Sequence, residues 1–186
     1  MTRKTVTPSN RAVFLDRDGV INAIVERDGK PASPRSLAEF QIDPEARTVL
    51  QALKAEGFHL FVVTNQPDIR RGLMDEAVLQ SMSDLLMETL PIDEVSACLH
   101  DDRDACACRK PKPGMLLDLA ERWAIDLDRS FLVGDQDRDV LCGLRAGCTT
   151  VLLDRSYNTG ANAHHVVPSL AAAAALVLER AELENA

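Results

Sequence analysis

The sequence has few aromatic residues and no long apolar run. Aromatic side chains make up 4% of its 186 residues, so the predicted core consists mainly of Leu, Val and Ala. No apolar run reaches the length of about 18 residues that a membrane helix needs, so we expect no membrane association. The N-terminal stretch MTRKTVTPSNRAVFLD also lacks the apolar segment and cleavage site of a secretory signal, which favours a cytoplasmic protein.

Positive charge and cysteine are scarce as well. The chain has 21 Lys and Arg against 29 Asp and Glu, a net charge of −8, which argues against a nucleic-acid partner. A few local cations could still hold one phosphate group. The five cysteines are an odd number, and three of them lie close together. This pattern is more typical of metal ligation in a reducing compartment than of disulfides.

The order of apolar and amphipathic segments predicts one α/β domain over residues 1–186. We found no internal repeat, linker or break in composition. Five apolar runs are predicted strands: AVFLD, FHLFVVT, VSACL, SFLVGD and TTVLLD. Helical patterns lie between and after them: from Asp43-Pro44 to Gly57, over 75–90, from Pro113-Gly114, over 140–146 and after Pro168-Ser169. Such alternation indicates a parallel sheet with helices on both faces, whose ligands bind at the carboxyl ends of the strands.

Polar side chains follow three of these predicted strands. Asp16 ends the first strand, and Asp18 follows two residues later, whereas Thr64 ends the second strand. Asp135 ends the fourth strand and Asp139 comes one helical turn further on. Each has a simpler interpretation as a solvated loop acid, a turn residue or a helix cap. For Asp139, near the start of a helix, capping is a strong alternative.

Taken together, these side chains predict a site for phosphoryl transfer. Carboxylates that converge on one sheet edge would repel each other without a cation, and carboxylate oxygens favour Mg²⁺. Lys110 in the stretch CRKPKPG supplies a fixed positive charge. An aspartate, a hydroxyl and a lysine beside Mg²⁺ can balance the charge of a transferred phosphoryl group.

Four motifs, in this order, resemble those of the haloacid-dehalogenase-like hydrolases: FLDRDGVIN, VVTNQ, CRKPKPGM and VGDQDRD. The resemblance covers about residues 11 to 153. It is closer to the branch that contains histidinol phosphatases and heptose-bisphosphate phosphatases, which carries a zinc loop. It implies a three-layer, Rossmann-like sandwich with a central parallel sheet and no large cap domain.

The resemblance also implies roles for individual residues. Asp16 would attack phosphorus and form an aspartyl-phosphate, and Asp18 would act as general acid and then as general base. Thr64 and Lys110 would hold the phosphoryl group. Magnesium would be bound by Asp16, Asp135 and the backbone carbonyl of Asp18.

Four further positions match the family near its substrate or its metal. Asn65, Gln66 and Arg109 resemble substrate-contacting residues of the family. Asp139 would support the site without touching the substrate.

The stretch CLHDDRDACAC predicts a structural zinc site. Cys98 and His100 are two residues apart, as are Cys106 and Cys108, so each pair can point its side chains the same way. Four soft ligands within eleven residues favour a tetrahedral Zn²⁺ over a loop of free thiols. The segment has little apolar content, so a bound ion would order it and thereby position Arg109 and Lys110.

The substrate and the covering segment are less sharply defined by the sequence. The partner is expected to be a small phosphorylated sugar or related metabolite. The resemblance favours D-glycero-D-manno-heptose 1,7-bisphosphate, hydrolysed at the 7-phosphate, with histidinol phosphate or another sugar phosphate as the alternative, and a monomeric enzyme is the default. Residues 23–40 are loop-like in sequence and could fold over the site as a small flap, although each side chain could equally belong to a solvated surface loop. Arg70 and Arg71 could meet a second phosphate, although Arg71 could equally form a surface salt bridge. Gln136 stands where heptose-bisphosphate phosphatases often carry Lys.

Overall fold

A six-stranded parallel sheet forms the centre of the molecule in the computed structural model, which describes residues 10–159 and 162–185. Eight strands are present in these ranges: β1 (Ala12–Leu15), β2 (Val25–Arg27), β3 (Lys30–Ala32), β4 (His59–Asn65), β5 (Glu94–Cys98), β6 (Phe131–Gly134), β7 (Thr149–Leu153) and β8 (His165–Val167). The order across the sheet is β5-β4-β1-β6-β7-β8. The strands that carry the predicted site, β4, β1 and β6, are therefore neighbours at the centre.

Helices cover both faces of this sheet, as the alternating pattern predicts. The α-helices are α1 (Ala46–Ala55), α2 (Pro67–Arg70), α3 (Glu76–Thr89), α4 (Gly114–Trp123), α5 (Asp137–Ala146) and α6 (Leu170–Asn185). Along β1, Val13 and Leu15 pack in a core with α1, α3 and α6, whereas Ala12 and Phe14 pack in a second core with α4 and α5. Because side chains alternate along a strand, one sheet supports two separate cores. The three-layer fold is thereby confirmed.

Helix starts deviate from the sequence prediction at two places. Helix α1 begins at Ala46 and not at Asp43-Pro44. Residues 43 to 46 form a turn before it, in which the Asp43 carboxylate accepts a hydrogen bond from Glu45 N and Asp43 O accepts one from Ala46 N. Helix α5 begins at Asp137, three residues earlier than predicted, with Gln136 as its N-cap. The alternative interpretation of Asp135 as the cap of this helix is therefore wrong.

The hydrophobic periodicity of the sequence did not reveal the three shortest strands, β2, β3 and β8. Strand β8 has three residues and lies at the sheet edge beside β7. Strands β2 and β3 pair as an antiparallel hairpin inside the segment 23–40, which the sequence pattern indicated to be loop-like. Three residues are too few to show a period. Among the described residues, no helix has the length and apolarity to cross a membrane.

Candidate active site

Asp16 and Lys110 form the centre of the site. Asp16 follows the last residue of β1, and its Oδ1 lies 2.8 Å from Lys110 Nζ. The same ammonium group lies 2.7 Å from Asp139 Oδ1 and donates to Val63 O at 2.8 Å. Burial raises the pKa of Asp16 to about 6, although Lys110 opposes this shift. The carboxylates of Asp16 and Asp139 outweigh the cost of burying Lys110 and raise its pKa, so its amine stays charged.

Asp135 is fully buried and only partly satisfied. Its Oδ2 accepts a hydrogen bond from the Tyr157 hydroxyl, while its Oδ1 has no hydrogen-bond partner among the described residues. Burial and the nearby Asp16 raise the pKa of Asp135 to about 8. Gly19 makes room for this carboxylate, since a Cβ at Gly19 would lie 2.1 Å from Asp135 Oδ2. A buried acid with a free oxygen needs a cation to stay ionised at neutral pH.

The acidic cluster fits a magnesium ion. Carboxylate oxygens of Asp16, Asp135 and Asp139 lie within 4.8 Å of one another. Asp139 is already engaged, because its Oδ1 faces Lys110 and its Oδ2 accepts from Gln136 N at 3.0 Å. The free Oδ1 of Asp135 and the carboxylate of Asp16 are hard oxygen ligands of the kind that Mg²⁺ prefers. The donor set thus supports the predicted use of Asp16 and Asp135.

The Asp18 carboxylate is not one of the three that form this cluster, and it is held by four hydrogen bonds. Arg17 donates from Nε at 2.9 Å and from Nη2 at 3.1 Å, Asn22 Nδ2 donates at 3.0 Å, and Gln66 Nε2 donates at 2.9 Å. Burial opposes ionisation of Asp18, but the Arg17 guanidinium and these hydrogen bonds lower its pKa below the usual value. Asp18 is therefore a fixed anion beside Asp16, close enough to line the same cavity.

Strand β4 ends with Thr64 and Asn65, and Gln66 follows it at the same edge of the sheet. The three side chains have different environments. Thr64 is buried, and its Oγ1 accepts from Gln66 Nε2 at 2.9 Å. Asn65 holds the backbone of Lys110 from both sides, since Nδ2 donates to Lys110 O and Oδ1 accepts from Lys110 N, each at 3.0 Å. Gln66 is fully buried and ties Thr64 to Asp18. In this structure Asn65 fixes the backbone of Lys110, and Gln66 fixes the side chains of Thr64 and Asp18, while contact of Asn65 and Gln66 with substrate stays a prediction.

A cavity of about 100 Å³ opens at these side chains. Its floor includes Asp16, Asp18, Thr64 and Lys110. Residues in and beside the β2–β3 hairpin, at the end of β4 and at the start of α5 complete its walls: Ile24, Pro31, Ala32, Ser33, Asn65, Gln136 and Arg138. The segment 23–40 thus forms the small flap that its position in the sequence suggested. A cavity of this size suits a phosphoryl group, with the rest of a substrate at its mouth.

The cysteine-rich loop brings its four predicted ligands together. Ligand atoms of Cys98, His100, Cys106 and Cys108 lie within 4.8 Å of one another. The Cys98–Cys106 and Cys98–Cys108 sulfur distances are 3.8 and 3.2 Å, and His100 Nδ1 lies 3.3 Å from Cys108 Sγ. Four sulfur ligands about 2.3 Å from a tetrahedral zinc are about 3.8 Å apart. Burial raises the pKa of Cys98 to about 12, so its thiolate requires a nearby cation.

Aspartates of the cysteine-rich loop form ion pairs with three nearby arginines. Arg109 Nε lies 2.7 Å from Asp102 Oδ1, so its guanidinium faces the loop and does not line the cavity. Arg71 Nε lies 2.6 Å from Asp101 Oδ2, and Arg70 Nε lies 3.6 Å from Asp104 Oδ1. The salt-bridge interpretation of Arg71 is thereby confirmed. A substrate contact by Arg109 stays a prediction.

Three residues that matter to the site were not identified from the sequence. Tyr157 reaches Asp135 from 22 positions away, and Arg17 holds Asp18 from a fully buried position between two acids. Arg138 lines the cavity from the second position of α5. The role of Arg17 could have been identified from the sequence, because an arginine directly between two aspartates can form an ion pair with either of them. Tyr157 follows β7 in a loop, and nothing local marks its contact.

Comparisons with known proteins agree with this geometry. The HAD-hydrolase-like family model matches residues 107–180. The chain is 36% identical over 151 residues to D-glycero-beta-D-manno-heptose-1,7-bisphosphate 7-phosphatase of Helicobacter pylori strain J99, with coverage of 78% of this chain and 83% of the relative. The enzyme of the same name from Rhodopseudomonas palustris is also 36% identical, over 152 residues, with coverage of 75% and 81%.

A solved structure shows the same similarity in three dimensions. The crystal structure of D,D-heptose 1,7-bisphosphate phosphatase from B. bronchiseptica, complexed with magnesium and phosphate, superimposes with a TM-score of 0.77 at 30% identity. The match covers 91% of this chain and 99% of that one. Motifs, fold and sequence similarity thus agree, and the chain belongs to the haloacid-dehalogenase-like hydrolases, within the family of the heptose-bisphosphate phosphatases.

Proposed function

We propose that this protein is a magnesium-dependent phosphatase that removes the 7-phosphate from D-glycero-D-manno-heptose 1,7-bisphosphate through an aspartyl-phosphate. The observation that carries the reaction class is the arrangement of Asp16. Its carboxylate lines a small cavity, 2.8 Å from Lys110 Nζ and next to Asp135 Oδ1, which has no hydrogen-bond partner in the part of the chain that the structure describes. Such a site combines a nucleophile, a fixed cation and ligands for a metal ion.

In the first step, the Asp16 carboxylate attacks phosphorus, and the bond to the sugar oxygen breaks. Lys110 offsets negative charge on the phosphoryl oxygens, and the Thr64 hydroxyl contributes a hydrogen bond from the end of β4. Asp18, which Arg17 keeps ionised in this structure, takes up a proton when the anionic phosphate of the substrate enters the cavity, and delivers it to the leaving sugar oxygen. Its fixed position, held by Arg17 and Gln66, keeps the proton donor beside the nucleophile.

In the second step, water cleaves the aspartyl-phosphate. Asp18 takes the proton from this water, inorganic phosphate leaves, and Asp16 is regenerated. The β2–β3 hairpin and Gln136 limit access at the cavity mouth, which favours one ordered water over bulk solvent.

Asp16, Asp135 and the backbone carbonyl of Asp18 would hold the magnesium ion. When bound, Mg²⁺ offsets the charge of the buried carboxylates and of the phosphoryl oxygens. Asp139 acts through its neighbours and does not itself touch the substrate. It fixes Lys110 through an ion pair and caps α5 by accepting a hydrogen bond from Gln136 N.

The four ligands of the cysteine-rich loop would hold zinc in a structural role. All four positions are protein side chains, which leaves no open position for substrate. The loop ends at Cys108, two residues before Lys110. A loop held by zinc would therefore fix the position of the backbone that carries Lys110 into the active site.

The relatives' names support heptose bisphosphate over histidinol phosphate as the substrate. Both relatives described above are named for the β anomer of heptose 1,7-bisphosphate. A panel of both heptose anomers and histidinol phosphate, with phosphate release as the readout, tests this choice. A higher kcat/KM for histidinol phosphate would refute it.

Substitution of the nucleophile tests the reaction class. Asp16→Asn removes the attacking carboxylate, and we expect kcat to fall at least about 1000-fold. Asp84→Asn on the exposed face of α3 is the matched control and should retain full activity. Retention of more than a tenth of the wild-type kcat in Asp16→Asn would exclude Asp16 as the nucleophile.

A further inference from the structure

A substrate with two phosphate groups would be favoured by a second cation besides Lys110, and the arginines singled out in the sequence face the cysteine-rich loop in this structure. Arg70 and Arg71 are paired with acids of the cysteine-rich loop, and so is Arg109. None of these three guanidinium groups lines the cavity that contains Asp16. The remaining cation at the nucleophile, Lys110, is already shared by two carboxylates and a backbone carbonyl.

Arg138 differs from these residues in both respects. It lines the cavity, and within the described residues no carboxylate forms an ion pair with it. Its Nη2 donates a hydrogen bond to Gln136 Oε1, a neutral acceptor. The guanidinium is thus oriented but keeps its full charge for a ligand.

The local structure explains why Arg138 stays at the cavity. Gln136 is the N-cap of α5, and Asp139 completes the capping box by accepting from Gln136 N at 3.0 Å. The same Gln136 side chain accepts from Arg138, so the capping residue also fixes the arginine. Its neighbouring acids are engaged elsewhere, since Asp137 binds Thr159 and Asp139 binds Lys110.

We propose that Arg138 binds the phosphate that is not hydrolysed, the 1-phosphate of the sugar, and thereby determines the preference for a bisphosphate. The guanidinium presents two donors in one plane, which match two oxygens of a phosphate group. Because the 1-phosphate lies at the opposite end of the sugar from the attacked 7-phosphate, a contact with it contributes to binding equally in the ground state and the transition state. The inference rests on the proposed bisphosphate substrate.

The test compares heptose 1,7-bisphosphate with heptose 7-phosphate, which has the same leaving group and lacks only the second phosphate. The wild-type enzyme should show a higher kcat/KM for the bisphosphate. In Arg138→Gln, the ratio of the two kcat/KM values should fall about 10- to 100-fold, as expected for a lost charge-assisted hydrogen bond. The loss should appear in KM for the bisphosphate and not in kcat.

Two further variants separate this role from a structural one. Arg138→Lys keeps the charge and should recover part of the ratio, which a packing role would not predict. Arg47→Gln, on the exposed face of α1, removes the same charge from the chain and should leave the ratio unchanged. If Arg138→Gln proves unstable, the partial loss in Arg138→Lys, whose amine cannot bind in a bidentate manner, provides the test.

The outcomes also separate this inference from the proposed function. If the wild type hydrolyses neither heptose phosphate, the proposed substrate is wrong. If the wild type hydrolyses both with equal kcat/KM, or if Arg138→Gln keeps the wild-type ratio, the phosphatase assignment stands and the role of Arg138 is refuted.

Discussion

Gly134 allows α5 to begin directly against the end of β6, and a single methyl group there should disable the site. A Cβ at Gly134 would lie 2.2 Å from Asp139 Cβ and 2.6 Å from its Cγ, where ordinary contacts begin at 3.4 Å. Asp139 would therefore have to move by about 1.2 Å. It cannot rotate away, because the overlap involves its Cβ and because its carboxylate caps α5.

The expected magnitude follows from this displacement. Overpacking a buried position costs about 1 to 3 kcal/mol of unfolding free energy. The Asp139–Lys110 contact of 2.7 Å would be lost or reoriented, and Lys110 would shift relative to Asp16. A misplacement of about 1 Å in a catalytic group lowers activity roughly 100-fold. Gly134→Ala should thus combine modest destabilisation with a large loss of kcat/KM.

Urea unfolding and steady-state phosphate release measure the two effects separately. Gly57→Ala serves as the control, because Gly57 precedes β4 at the opposite end of the strand from Thr64, and a Cβ there would meet no atom within 4 Å. Its φ of +82° makes Ala unfavourable by about 1 to 2 kcal/mol, so it should lose stability without loss of activity. A folded Gly134→Ala variant with kcat/KM within threefold of wild type would refute the reasoning.

Two further changes test the metal sites. Tyr157→Phe removes the hydrogen bond to Asp135 Oδ2. The affinity for Mg²⁺, measured by isothermal titration calorimetry, should weaken about tenfold or more. An unchanged Kd for Mg²⁺ would exclude a positioning role for Tyr157. Cys106→Ser removes one ligand of the cysteine-rich loop, so zinc content should fall and the melting temperature should drop, whereas Cys148→Ala, outside this cluster, should keep its zinc. Equal zinc content in both variants, or full activity in a verified zinc-free enzyme, would contradict the structural role of the ion.

Much of the site could be predicted because its residues follow predicted strands, and the carboxyl ends of parallel strands lie at the same edge of a sheet. Asp16, Thr64 and Asp135 end neighbouring strands, and the order β4-β1-β6 brings them to one edge. The spacing of Cys98, His100, Cys106 and Cys108 is likewise local, so their clustering follows from the loop alone. In both cases the relevant geometry depends on backbone regularity over a few residues.

The contacts that tune the site depend on side-chain positions that only the packed molecule defines. Gln66 was expected near substrate, yet its amide is buried between Thr64 and Asp18. Tyr157 reaches Asp135 across 22 residues. No periodicity describes such contacts, because they arise where separate loops meet over the sheet edge.

The amino-acid sequence by itself determined the reaction chemistry: which acids, which lysine and which thiols stand at the ends of which strands. The tertiary structure decided how their charges are balanced, since Lys110 is shared between Asp16 and Asp139, while Arg138 in the cavity forms no ion pair with any carboxylate of residues 10–159 and 162–185. The physical reason is that residue type and strand position are local properties, whereas ion pairing depends on distances of about 3 Å between groups far apart in the chain.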